Sequence, residues 1–317
     1  MRGWIGGIAS VFLGASGAFG ADAAPQVRVA PIEVIAHRGA SAYAPENTLA
    51  AFRKAVEMGA DYFELDCRLS KDSEVIILHD ADLERVAGQK TAAADLTLAE
   101  IQALDAGSWF NPTFKGEKIP TLREALAVAT EACGVYVEIK AEAGDSESSG
   151  LVLKHAANKP TMTPDLRRHM IALGNMSRSR SLPLTRATIA IIKEMQMEKR
   201  VVIQSFSPLI CLMARLEAPG IRTELLLSDD KDDPTHYDRL HTFALMIGAK
   251  GINVKKDSLT PERLQAIRNE RRTVAVWTVN EKPDMERFVG LGVTALITDF
   301  PDVARAVVSA AKPTPAP

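Results

Sequence analysis

Nine short apolar or β-branched runs recur along the chain, and the spacing between two of them limits what it can fold into. The runs are VIAHRG from residue 34, YFELD from 62, VIILH from 75, GVYVEIK from 134, VVIQSF from 201, TELLLS from 223, KGINV from 250, VAVWTV from 274 and ALITDF from 295. Most are separated by helical patterns, and strands alternating with helices imply a parallel sheet. The gap after YFELDCRLS is only KDSE. A parallel crossover needs about a dozen residues, so VIILH must return as a hairpin and belong to an excursion covering about residues 70–120. Eight runs then remain. That pattern predicts an α/β fold, a TIM (β/α)8 barrel with a small insertion after the second strand, and the chain length suits one such domain. A doubly wound open sheet is the alternative, weakened because no strand is followed by a GxGxxG or P-loop turn.

Helix signals support the alternation. Asn47 or Thr48 can cap a helix whose Leu49, Phe52 and Val56 share a face and which Gly59 ends. TLAE from 97 and TLRE from 121 carry the Thr-x-x-Glu capping-box pattern, and Thr260 with Pro261 starts another helix. The chain is 46% hydrophobic and 25% charged with net charge −2, a globular composition with no general reason to expect nucleic-acid binding. Any attraction for an anionic substrate must therefore be local.

Residues 1–23 read as an export signal peptide. Arg2 precedes an apolar, glycine-rich stretch from Trp4 to Phe19, with Ala18 and Gly20, or Ala21 and Ala23, at peptidase spacing. The stretch is short for a membrane span. The expectation is an exported protein, periplasmic or secreted, with no stable membrane insertion after signal cleavage. Residues 24–317 then form a single catalytic domain with a loose tail over about 312–317. Cys67, Cys133 and Cys211 lack metal-site spacing and read as buried thiols, although export would permit one disulfide. SDDKDDPTHYD from 228 reads as a solvated acidic loop.

The ends of the expected barrel strands carry unusual polarity for positions where barrels perform chemistry. His37 and Arg38 end the first run, and Gly39 permits a tight turn. Glu64 and Asp66 share a face of the second, as do Glu138 and Lys140 on GVYVEIK, because strand side chains alternate. Any one carboxylate reads as a salt-bridge partner of Arg38 or Lys140. Three converging on a mouth resist ionisation unless a cation lies between them, so Glu64, Asp66 and Glu138 read as ligands of one divalent cation. An all-oxygen set points to Mg²⁺ or Ca²⁺. His37 and His79 form a candidate acid–base pair, and Asp80 could orient the His79 ring, although extended-strand alternation would turn it away.

HRGASAYAPENTLAAF, FELDCRLSKDSEVIILHDADLERV, IPTLREAL, VEIK, QSF, WTVN and ITDFP, in this order, closely resemble the glycerophosphodiester phosphodiesterase family. The resemblance spans most of residues 34–303. It implies a TIM barrel with the same excursion and metal-dependent hydrolysis of glycerophosphodiesters to sn-glycerol 3-phosphate and an alcohol, a step in lipid and glycerol metabolism. It also implies His37 and His79 as acid and base, in either assignment, and Glu64, Asp66 and Glu138 as metal ligands. Arg38 and Lys140 match its phosphate-facing cations. Glu46 and Asn47 fall in its PEN segment and are expected at the substrate. Trp277 is expected either as an aromatic wall for the glycerol or alcohol moiety or as core packing. The attacking group is water or the glycerol 2-hydroxyl.

Two departures stand out. Asp72-Ser73 replaces the usual Asp-Gly at the hairpin turn, which calls for a longer or different turn. Some sixty residues between VEIK and VVIQSF exceed one loop and helix, and could form a lid or substrate wall; Arg178 and Arg180 there read as solvated. A related barrel enzyme of phospholipase D or phospholipase C type, acting on intact lipid, is the rival function. Low aromatic content and the lack of an amphipathic surface helix favour a soluble small-molecule substrate. A non-catalytic glycerophosphodiester-binding protein would be expected to lack one of these groups.

Overall fold

Period-two alternation determines how the apolar runs assemble. In the strand Gly134–Ile139, Val135, Val137 and Ile139 are buried in one cluster with Phe63, Leu65, Val201 and Ile203 and with the helix residues Phe52 and Ile192. Each such buried aliphatic side chain contributes roughly 1.5–3 kcal/mol of transfer free energy. The intervening Tyr136 and Glu138 face the opposite side, the barrel interior. The same division places Glu64 and Asp66 inside and Leu65 and Cys67 outside.

The computed structural model describes residues 32–311 apart from 158 and 160. The segment read as an export signal, 1–23, and the one read as a tail, 312–317, lie outside the described residues. The strands are β1 (Glu33–Ala36), β2 (Tyr62–Leu69), β3 (Val75–Ile77), β4 (Asp82–Leu83), β5 (Gln89–Ala92), β6 (Gly134–Ile139), β7 (Val201–Ser205), β8 (Arg222–Leu227), β9 (Gly251–Lys255), β10 (Thr273–Trp277) and β11 (Ala295–Thr298). β1, β2 and β6 to β11 are parallel, and β1 pairs with both β2 and β11, so the sheet closes into an eight-stranded TIM barrel. β3 runs antiparallel to β2 outside that ring, as the short KDSE gap requires. Among the described residues no helix is long and apolar enough to cross a membrane.

The insertion has its own apolar cluster of Ile76, Leu78, Leu83, Val86, Ile101 and Ile119. Both capping boxes form, at Thr97 with Glu100 and at Thr121 with Glu124. Thr48, not Asn47, caps the helix Leu49–Glu57. At the hairpin turn Ser73 itself takes the left-handed conformation usually filled by glycine, with φ 67°. Asp72 Oδ1 accepts hydrogen bonds from Ser70 Oγ at 2.6 Å and Leu98 N–H at 3.0 Å, which ties the turn to the insertion.

The long segment after β6, which the sequence allowed as a lid or substrate wall, is largely helical. It forms helices Asp145–Ala156, Pro164–Met176 and Ser181–Glu194. Val152, Ala156, Leu166 and Met170 join the buried cluster of Leu209, Leu212, Met213 and Leu240 on the barrel's outer helical layer. Apolar faces on the first two helices draw them onto that layer. Arg178 and Arg180 are exposed, and most of the 228–238 loop is solvated. Cys67, Cys133 and Cys211 are buried free thiols.

Candidate active site

The chain leaves regular strand geometry immediately before the site. β1 ends at Ala36, so His37 and Arg38 lie in the following turn and not on the strand itself. Arg38 and Gly39 adopt positive φ, 54° and 80°. A Cβ on Gly39 would meet the Ala51 carbonyl carbon at 2.6 Å, so both conformation and space require glycine. The turn aims the Arg38 N–H at Glu64 Oε2, 2.9 Å away.

His37 is held from the last strand. Its Nδ1 meets Asp299 Oδ1 at 2.7 Å, and its backbone N–H donates to Thr298 O at 2.8 Å. Asp299 accepts further hydrogen bonds from Ser41 Oγ at 2.9 Å and Asn280 Nδ2 at 2.6 Å. Burial alone would lower the His37 pKa, but the Asp299 hydrogen bond, aided by the Glu64 charge, outweighs it and leaves a net rise. Asp299 was not singled out from sequence, although it is the acidic residue of ITDFP at a strand end.

Glu64, Asp66 and Glu138 converge, with one carboxylate oxygen of each lying within 4.8 Å of the others. Glu64 and Asp66 are each only 1% exposed. Burial, and next the Asp66 charge, push Glu64 up to about 8. For Asp66 burial is outweighed by Lys140 and Arg38, which hold it well below the usual carboxylate range. Burial raises Glu138 against the opposing pull of Lys140. Lys140 Nζ bridges Glu138 Oε1 at 2.6 Å and Asp66 Oδ1 at 3.1 Å. Arg38 Nε lies 3.5 Å from Asp66 Oδ2. Both cations thus rest against the carboxylates. With all three carboxylates ionised, two cations would leave an excess of negative charge, so Glu64 resists ionisation; a hard divalent cation would relieve this, and the oxygen-only set fits one.

The PEN segment braces this cluster. Asn47 Nδ2 donates to Asp66 Oδ2 at 2.8 Å, which explains why it does not cap the helix. Glu46 Oε1 accepts from Arg38 Nη1 at 2.9 Å. From the far wall Gln204 Nε2 reaches Glu64 Oε1 at 3.3 Å, and Asn253 Nδ2 supports Gln204 Oε1 at 2.7 Å. Neither residue was anticipated. Inward-facing amides within apolar runs offer no local signal of their partner.

β3 stops at Ile77, two residues before His79. Strand alternation therefore does not apply to Asp80, and its Oδ1 does meet His79 Nδ1, at 2.9 Å. Arg68 Nε and Nη2 donate to the His79 carbonyl at 3.0 and 2.8 Å. Burial lowers the His79 pKa; the Asp66 charge opposes this, while Lys140 and Arg38 reinforce it.

His37, Arg38, Glu64, His79, Glu138 and Lys140 line one cavity, whose apolar wall includes Phe206 and Trp277. The two rings meet edge to face with centroids 5.3 Å apart. Trp277 is half-buried, and its Nε1 donates to Asn253 O at 3.0 Å, so it serves both as packing and as wall. Phe206, in the QSF motif, had not been assigned a role.

Residues 37–303 match the model of the glycerophosphoryl diester phosphodiesterase family. A glycerophosphodiester phosphodiesterase of Caldanaerobacter subterraneus subsp. tengcongensis is 33% identical over 270 residues, covering 85% of this chain and 94% of that protein. One from Bacillus subtilis is 30% identical over 280 residues, covering 86% and 85%. The fold is shared with an Oleispira antarctica phosphodiesterase solved in complex with its product sn-glycerol 3-phosphate, with TM-score 0.68, 24% identity and coverage of 88% and 98%. The chain therefore belongs to the glycerophosphoryl diester phosphodiesterase family and is a phosphodiester hydrolase.

Proposed function

We propose that the protein hydrolyses glycerophosphodiesters to sn-glycerol 3-phosphate and an alcohol, with His37 and His79 as its acid–base pair. The observation that carries this reading is the single cavity lined by both imidazoles, both cations and two of the three clustered carboxylates. The product bound to the Oleispira relative supports the substrate class. A divalent cation, Mg²⁺ or Ca²⁺, held by Glu64, Asp66 and Glu138 would supply Lewis-acid polarisation of the phosphoryl group.

The carboxylates at Nδ1 set the tautomers. Asp299 and Asp80 are both held below their ordinary pKa, so each stays ionised and can only accept. Each imidazole must then donate from Nδ1, which leaves Nε2 as the nitrogen that exchanges a proton with substrate. One histidine removes a proton from the attacking group and the other protonates the departing alkoxide. Arg38 and Lys140 offset charge that builds on the phosphoryl oxygens. Phe206 and Trp277 exclude water from one side and offer apolar contact to the carbon skeleton. Glu46 and Asn47 act at the substrate through Arg38 and Asp66.

The test is release of sn-glycerol 3-phosphate from glycerophosphocholine with and without chelator, repeated in His37→Ala and Glu64→Ala. Activity that survives chelation, or survives in either variant, overturns the site. A strong preference for intact lipid vesicles would overturn the substrate class, and a ³¹P signal from a cyclic phosphate would identify the glycerol 2-hydroxyl as the attacker. Export is proposed from residues 1–23 alone; the mass of the mature N-terminus tests it.

A further inference from the structure

One side chain of the insertion joins groups that hold both a site cation and a site histidine. Arg85, on the short helix Glu84–Ala87, donates from Nη1 to Glu46 Oε2 at 2.6 Å and from Nη2 to Glu46 Oε1 at 2.8 Å. Its Nε donates to Asp80 Oδ2 at 2.7 Å. Glu46 is the carboxylate that accepts Arg38 Nη1, and Asp80 is the one that holds His79 Nδ1. The Trp109 ring flanks the guanidinium, with its centroid 5.8 Å from Cζ. Arg85 lies outside the cavity that His37 and Lys140 share, and with Asp80 it lines a neighbouring opening that also includes His79 and Lys140.

The geometry has consequences for charge as well as position. Among the described residues the ion pairs of Glu46 are with Arg38 and Arg85. Were Arg85 removed, Arg38 would be left to neutralise Glu46 and would be drawn from the cavity toward it. Asp80 would also lose the bond that stops its carboxylate rotating, and the His79 ring would lose its fixed orientation. A planar guanidinium can satisfy two carboxylates with three directed bonds; a lysine ammonium is a point charge on a flexible stem.

We propose that Arg85 is a positioning residue that couples the insertion to the site, fixing Arg38 and His79 in mutual register through Glu46 and Asp80. This rests on the roles given to Arg38 and His79 above. The experiment measures kcat and KM for glycerophosphocholine in wild type, Arg85→Ala and Arg85→Lys, with thermal melts of each and with guanidinium added at millimolar concentration. The expected result is a kcat about 10- to 100-fold lower in Arg85→Ala with KM changed by less than about threefold, since misplacement of reacting groups acts on turnover. Arg85→Lys should recover only a small part of the loss. Added guanidinium should raise kcat of Arg85→Ala and leave wild type unaffected, which a merely structural role would not produce. A kcat within about twofold of wild type in Arg85→Ala, full activity in Arg85→Lys, or a loss that guanidinium does not relieve overturns the inference. An inactive wild type would instead overturn the functional reading, so the two failures are distinguishable.

Discussion

His37 and His79 face one cavity, yet different parts of the molecule hold them. His37 hangs between β1 and β11, two barrel strands paired in continuous register from Glu33 with Ala295 to Ala36 with Thr298. Its Asp299 partner is itself pinned by Ser41 and Asn280. His79 follows β3, which pairs with a single barrel strand, and its supports Asp80 and Arg85 come from the insertion. The pKa values diverge in the same way: Asp299 wins over burial at His37, whereas burial prevails at His79. One imidazole is thus fixed by barrel closure and the other by an added layer that must dock correctly.

The largest expected effect should ignore that division. Glu64→Gln, or chelation of wild type, removes charge common to both sides and should lower kcat/KM by about 1,000-fold or more; steady-state assay with metal add-back checks it. Next, His37→Ala and His79→Ala should each cost roughly 10²- to 10⁴-fold, and the double variant should lose far less than the product of the two. Full multiplicativity would show that the two rings do not act as a unit.

A smaller effect sharpens the comparison. Asp299→Asn should lower kcat by about 10- to 100-fold and Asp80→Asn by less, because the His79 backbone remains tied to Arg68. The Asp299 contact raises the folded-state pKa of His37 above its usual value near 6.5. Stability from the pair is then fully present below the unfolded value and lost as pH rises through the folded one. The melting-temperature gap between wild type and Asp299→Asn should accordingly be wider at about pH 5.5 than at about pH 9. The smallest effect belongs to the two exposed arginines after β6, where Arg178→Ala and Arg180→Ala should leave kcat/KM within about twofold.

The strand count was legible because loop length is a hard constraint: four residues cannot cross a barrel, and β3 is antiparallel as required. The carboxylate cluster was legible because alternation commits Glu64, Asp66 and Glu138 to the interior once their neighbours face the helices. Asp80 orients the His79 ring as the sequence allowed; the objection from alternation fails because β3 ends at Ile77, three residues earlier. Asp299, Gln204 and Asn253 were missed because each meets its partner across 49 to 262 residues of sequence, where no local pattern carries information. The role of the segment over 141–200, weighed as a lid or substrate wall, was not legible because surplus length says nothing about which surface an apolar helix face will find.

Sequence alone thus determined the barrel, its excursion and the interior carboxylates, since these follow from short-range periodicity and chain connectivity. Tertiary structure alone decided how the site is braced: which carboxylate orients which imidazole, that Lys140 and Arg38 rest on the carboxylates, and that Arg85 ties the insertion to the PEN segment. The physical reason is that hydrogen bonds and ion pairs are satisfied by whatever barrel closure brings within about 3 Å, and closure joins residues from opposite ends of the chain.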